Sequence, residues 1–362
     1  MRWAKLIEPP ALFAGHAEGR PFVGPGTLRL PSGEVLMAAP APQSAPDSSD
    51  GSCDVALPWL YHSGDAGRSW QAQGPFQMRW SLSGEPRAGG MSLLRLHDGR
   101  LAALFHRQVA GQHGGGLPAI TFSNDDGITW SDATTVGTEE GVWYVMNDRL
   151  IQLGCGRLIV PVAHMPAGLG SYEGDRNEGL CLYSDDGGAR WQASRAPARL
   201  DDARGMAEPC VTEIENGRLL MLARTGSGCL YGSISCDGGD SWSQPQPTGL
   251  LSPCAPFTMR CLPDGRLIVV YNHAEPLERG GFFPRTPLAY ALSSDGGLSW
   301  GEPCVIDHHP SREFIYPSIC MVPEGVLIVY SEHYTENRFG SGSPEERLIG
   351  GGKRCILAYP DY

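Results

Sequence analysis

The chain has 362 residues, with 28 Lys and Arg against 40 Asp and Glu, and its formal net charge of −12 argues against nucleic acid and anionic membrane as partners. Its 48 glycines, 30 prolines and 9 tryptophans, without a long helical period, suit an all-β chain rich in turns. No apolar stretch approaches membrane-spanning length, and the opening MRWAKLIEPP lacks an apolar core of signal-peptide type, so a cytoplasmic location is expected.

Two patterns alternate along the chain. A polar turn with Gly, followed by an aliphatic run, comes first at Gly33 (PSGEVLMA). A Ser-x-Asp-x-Gly-x-x-Trp motif then starts at Ser63 (SGDAGRSW). The pair recurs at Gly99 and Ser123 (SNDDGITW), Gly156 and Ser184 (SDDGGARW), Gly217 and Ser235 (SCDGGDSW), and Gly265 and Ser293 (SSDGGLSW). A sixth Gly turn at Gly325 (PEGVLIVY) has no such motif after it; Asn337 to Gly352, rich in Gly and Ser, stands in its place. So long and regular a period marks a repeat architecture.

Gly after Asp or Asn suits a tight hairpin, so each unit reads as a buried hairpin, a third strand, the Asp-containing turn and a fourth strand. Four short strands per unit make a propeller blade, and six Gly turns predict a six-bladed β-propeller in one domain over residues 1–362. In the Asp motif the carboxylate can bond backbone N–H groups of its own turn while Trp packs against the blade, so these turns read as structural. The 11 cysteines are scattered without a Cys-x-x-Cys pair, and Cys53, Cys210 and Cys320 lie in or beside apolar runs. They are expected to be reduced, mostly buried thiols; neither metal nor cofactor is expected.

A propeller gathers its site at one end of the central channel, from residues just before each Gly-turn hairpin. Those segments run around Arg20 to Pro25, Arg87 to Met91, Tyr144 to Arg149, Met206 to Pro209, Ser252 to Met259 and Phe314 to Ser318. Asn147-Asp148-Arg149 and Glu208-Pro209 are the sharpest, because they place polar residues where a structural strand would be apolar. At the far end of the hairpins, His106-Arg107, His164, Arg224 and His273 put cationic or titratable groups at one level in four repeats. That recurrence suits a pocket for an anionic ligand.

With five Asp motifs in register, the chain resembles the sialidase superfamily, and in particular bacterial sialidase-family proteins with BNR-type repeats. The resemblance implies roles for particular residues. MAEPCVTEIENGRLLMLART places Glu208 on the Glu that activates the nucleophile and Arg224 on one of three arginines gripping the substrate carboxylate. RTPLAYALSSDGGLSW places Arg285 on the last of those arginines, and FIYPSICMVPEGVLIVY places Tyr316 on the nucleophilic Tyr. The chemistry fits these residue types. A sialoside carries a carboxylate on its anomeric carbon and would repel a carboxylate nucleophile, whereas a neutral phenol needs only a neighbouring base. Arginine's planar fork suits the carboxylate.

Two positions depart from the family pattern. Val23 stands where the first arginine is expected, which leaves Arg20 or Arg149 to supply that cation. The acid/base Asp falls in the loop APAPQSAPDSSDGSCDVALPW, where Asp50 is favoured, Asp47 comes second and Asp54 begins a strand. The resemblance thus implies a retaining exo-α-glycosidase of sialidase type acting on a small-molecule or glycan substrate. Catalysis would use Tyr316, Glu208 and Asp50, and binding would use Arg224, Arg285, Arg149, Asp148, Asn147, Arg20 and His273. A same-fold hydrolase for another acidic or deoxy sugar and a non-catalytic carbohydrate-binding propeller are the alternatives. The sequence leaves the oligomeric state open.

Overall fold

A computed structural model describes residues 2–3, 24–39, 58–79, 81–82, 85–108, 117–137, 141–165, 177–202, 204–274, 285–310, 312–335 and 348–359. After the two-residue β1 (Arg2–Trp3), the first blade is the antiparallel meander β2 (Gly26–Arg29), β3 (Val35–Ala39), β4 (Trp59–Ser63) and β5 (Gln71–Pro75). The second is β6 (Glu85–Arg95), β7 (Leu101–Gln108), β8 (Leu117–Ser123) and β9 (Thr134–Thr135). In the next sheet β10 (Val142–Tyr144) and β11 (Ile151–Gln152) both pair with β12 (Leu158–Met165), which leads to β13 (Glu178–Ser184) and β14 (Gln192–Ala193).

Regular meanders then return. One is β15 (Ala207–Glu215), β16 (Arg218–Arg224), β17 (Cys229–Ser235) and β18 (Gln246–Leu251). The following one is β19 (Thr258–Cys261), β20 (Leu267–Asn272), β21 (Leu288–Ser293) and β22 (Cys304–Asp307). The last sheet joins β23 (Arg312–Val322), β24 (Gly325–Thr335) and β25 (Leu348–Tyr359) to β1, with Arg2 opposite Tyr359.

Among the described residues there are therefore five four-stranded blades where six were expected. The remaining sheet has five strands, because residues 145–150 leave it between β10 and β11 and carry Asn147 to the carbonyls of Pro25 and Pro317. The end of the stretch Asn337 to Gly352 belongs to β25, which starts at Leu348, and residues 337–347 lie outside the described residues.

All six Gly turns sit at hairpins, and Gly33 shows why: its φ of +93° is a conformation that favours glycine. The aliphatic run that follows each turn is buried on both strand faces, as in Val35, Leu36, Met37, Ala38 and Ala39, all without exposure. Alternate residues serve different neighbours. Leu36 packs toward the second blade with Phe105 and Trp130, while Val35 and Met37 pack toward the last sheet with Trp70, Val322 and Leu327. Burying each large apolar side chain contributes about 1.5–3 kcal/mol, so the packed interfaces between blades hold the ring together.

Neighbouring sheets touch in turn: β2 meets β6 and β23, β8 meets β10, β15 meets β12 and β19, and β19 meets β23. The approach is close. A Cβ on Gly26 would lie 2.7 Å from the Met91 carbonyl of the neighbouring blade.

The Asp motifs are structural turns, as their composition suggests. In the first, Asp65 accepts from the Ser63 hydroxyl at 2.8 Å and the Ser69 amide at 2.7 Å. The Ser63 hydroxyl accepts from Gly67 N, and Trp70 Nε1 donates to the Gly67 carbonyl. Trp70 therefore ties its turn to the apolar interface beneath it. The described cysteines are all free; Cys181, Cys210, Cys254 and Cys320 are buried, but Cys155, Cys236, Cys261 and Cys304 are exposed, against the expectation of mostly buried thiols.

Candidate active site

Glu208 and Tyr316 occupy equivalent places on two inner strands. Each precedes a proline, each lies at a break in ladder register, and each has a left-handed backbone, with φ of +46° and +52°. A residue before proline normally stays extended, and a non-glycine residue held left-handed costs of order 1–3 kcal/mol. Such strain persists only where surrounding packing imposes it, and bulges re-aim side chains next to functional sites.

Glu208 is buried, and its Oε1 accepts from Arg224 Nη2 at 2.5 Å. The register explains the pairing, because Ala207 lies directly opposite Arg224 across β15 and β16. Arg224 Nη1 also donates to the Cys254 carbonyl at 3.2 Å, so the guanidinium bridges two blades. Arg285 enters from just before β21, with its Nε 3.9 Å from the buried Glu313 carboxylate. Its backbone carbonyl accepts from Phe314 N at 2.9 Å, which ties that stretch to the Tyr316 strand.

The charges of these groups act on one phenol. Burial raises the Tyr316 hydroxyl above its ordinary value, and the Glu208 charge pushes the same way. Arg285 and Arg224 act against the rise, and Glu313 adds to it. A second phenol lies in the same field: Tyr144 is pushed up to about 12, first by burial and then by Glu208.

Asn147, Asp148 and Arg149 serve the frame of this group. Asn147 Nδ2 donates to the carbonyls of Pro25 at 2.9 Å, Pro317 at 3.1 Å and Tyr316 at 3.3 Å. Asp148 pairs with Arg260 and accepts from Ile319 N at 3.0 Å. Arg149 is fully buried, donating to the Phe257 carbonyl at 2.7 Å, the Asn147 carbonyl at 2.9 Å and the Thr258 hydroxyl at 3.2 Å. Its guanidinium is thus held by protein carbonyls instead of being presented beside Arg224 and Arg285. Below Asp148, where the inner strands finish, lies a cavity of about 470 Å³ lined by Arg29, Thr212, Glu213 and Arg260.

The expected ring of cations takes other partners. His273 Nδ1 lies 3.2 Å from the Tyr271 hydroxyl, His164 stacks on Trp143, and His106 bonds Val145 N at 2.9 Å. Arg107 is buried. Arg20, Val23, Asp47, Asp50 and Asp54 lie outside the described residues. Sequence reasoning missed Glu313 and Tyr144. A Glu inside the apolar run REFIYPSIC was a usable signal for the first, whereas nothing local distinguishes Tyr144 from an ordinary core tyrosine. Among the described residues no cluster of His, Cys, Asp and Glu is arranged to hold a metal.

The comparisons with known proteins agree with this architecture. Residues 48–329 match the BNR repeat-like domain. The anhydrosialidase of Macrobdella decora is 29% identical over 168 residues, which cover 44% of this chain and 20% of that protein. The sialidase of Micromonospora viridifaciens is 26% identical over 247 residues, 61% of this chain and 34% of that protein. The matched parts therefore span about a fifth and about a third of these relatives. Trypanosoma rangeli sialidase in complex with the inhibitor DANA superposes with a TM-score of 0.66 at 14% identity, covering 98% of this chain and 59% of that one, a likeness of fold. With the BNR repeat-like match running over most of its length, the chain belongs to the sialidase/BNR-repeat superfamily.

Proposed function

We propose that the protein is a retaining exo-α-glycosidase of sialidase type, acting on a terminal sialic acid or a related acidic sugar. The observation that carries this reading is the matched pair of strained pre-proline bulges that hold Glu208, paired with Arg224, and Tyr316 at equivalent places on two inner strands. In the proposed reaction the Tyr316 oxygen bonds to the anomeric carbon as its proton passes to Glu208 and the glycosidic bond breaks. The departing oxygen takes a proton from an acid, for which Asp50 is the candidate. That residue, now a base, then activates water to cleave the glycosyl–tyrosine bond, and the phenol recovers its proton from Glu208. A phenol raised above its ordinary value approaches the anionic substrate neutral, which avoids like-charge repulsion. The arginines would hold the substrate carboxylate.

Hydrolysis of an aryl α-sialoside by wild type and Tyr316→Phe tests the proposal. Wild type should turn over, and the variant should lose activity by about 10³-fold or more while keeping its fold. Equal rates would rule out the tyrosine mechanism. Val23 in place of the first arginine favours a second reading, the same chemistry on a different acidic or deoxy sugar. Release of another sugar from a glycan panel, without action on sialosides, would select it. Binding without turnover across the panel would leave a carbohydrate-binding propeller.

A further inference from the structure

We propose that Asn147 is a positioning residue for Tyr316: its carboxamide holds the β23 bulge that aims the phenol and makes no contact with the sugar. The inference rests on the proposed function for its catalytic consequence, though not for its geometry.

The bulge creates a local deficit of hydrogen bonds. Pairing of β23 with β24 stops at Ile315 and resumes at Ser318, so the Tyr316 and Pro317 carbonyls lose their place in the ladder. Both accept instead from Asn147 Nδ2, which also reaches the Pro25 carbonyl. Two N–H groups shared among three carbonyls leave the amide with no donor for a ligand.

Neighbouring groups extend the grip. Thr258 Oγ1 donates to the Pro317 carbonyl at 2.6 Å and accepts from Arg149. Just past the bulge, Ile319 N donates to Asp148. Consecutive residues of one segment, Asn147 and Asp148, thus hold the carbonyls at the bulge and the Ile319 amide after it. The carboxamide is also covered: Asn147 is 1% exposed, and a Cβ on Gly24 would lie 2.3 Å from its side chain. Only a glycine there lets the chain lie across the amide, and no room remains for a sugar.

A left-handed backbone at Tyr316 has no support of its own, since φ of +52° is unfavourable for tyrosine. Removing the amide should let the bulge relax toward extended backbone and swing the phenol away from Glu208. A displacement of about 1 Å can cost about 10²-fold in rate.

The test uses the isostere Asn147→Asp, which keeps the shape but replaces the donor with an oxygen facing three carbonyls, together with Asn147→Ala. On an aryl sialoside both should lose about 10²-fold in kcat with KM little changed, and Asp should be no better than Ala. A second readout is independent of turnover: the ring-carbon NMR signal of Tyr316 in protein labelled at tyrosine Cζ, assigned by its loss in Tyr316→Phe. That signal should move or split in both variants. If Asn147→Ala does not fold, Thr258→Val removes one donor to Pro317 at nearly constant shape and should shift the same signal. Wild-type kcat and an unmoved Tyr316 signal in Asn147→Asp would overturn the proposal. If wild type proves inactive on every sugar, the proposed function fails, and the signal alone decides the positioning role.

Discussion

The Glu208 carboxylate and the Arg224 guanidinium form a buried ion pair, 2.5 Å apart, across adjacent strands of one blade. Removing one member of such a pair leaves a desolvated charge behind, which typically costs about 3–5 kcal/mol. Arg224→Ala should therefore lower unfolding free energy by about that amount in urea titrations at neutral pH. Glu208→Gln, which still accepts a hydrogen bond, should cost less. A double variant more stable than Arg224→Ala alone would show that the lone carboxylate is the source of the loss. Wild-type stability in Arg224→Ala would mean that water reaches the pair.

Glu313 stands behind Arg285 without being a neighbour in sequence, and the two are 3.9 Å apart. Glu313→Gln should loosen the guanidinium and weaken its hold on a substrate carboxylate. We expect KM for an aryl sialoside to rise about tenfold, or about 1.4 kcal/mol, with kcat less affected. An unchanged KM would remove Arg285 from the carboxylate site.

Acid should weaken the fold through its turns. Backbone and side-chain hydrogen bonds from Arg190 hold Asp186 near 2, and bonds from Ser299 do the same for Asp295. Because the folded values lie below the unfolded one of about 3.9, the stabilisation is present above about pH 4 and is lost as pH falls through about 2. Urea midpoints measured from pH 5 to pH 2 should fall with acid. Asp295→Asn should begin lower and fall less steeply. A parallel slope in that variant would place the acid sensitivity elsewhere.

Much of the architecture was legible because its determinants are local. A Gly turn and an Asp motif each fit within eight residues, so their spacing announced blades before any contact was known. The departures arise from pairings between distant segments. Nothing near Arg2 or Tyr359 signals that they lie opposite each other, and nothing near Val142 shows that two short strands share β12. The same division holds in the site. Glu208 stood out through its polarity in a strand and Tyr316 through the resemblance, and the Pro after each marks a shared geometry that only the backbone angles revealed. The partners of Arg149 were not legible, because a long cationic side chain can face a channel or bury itself among carbonyls. The carbonyls that receive it belong to residues as distant as Phe257.

The pairing of β1 with β25 sets a timetable for making the molecule. A chain emerging from the ribosome can form hairpins and single blades early, since their partners lie close in sequence. The circle cannot shut until β25 has been made and has met β1. Until then the first and final blades each lack the apolar neighbour they pack against in the ring, and exposed surface of that kind favours association between chains.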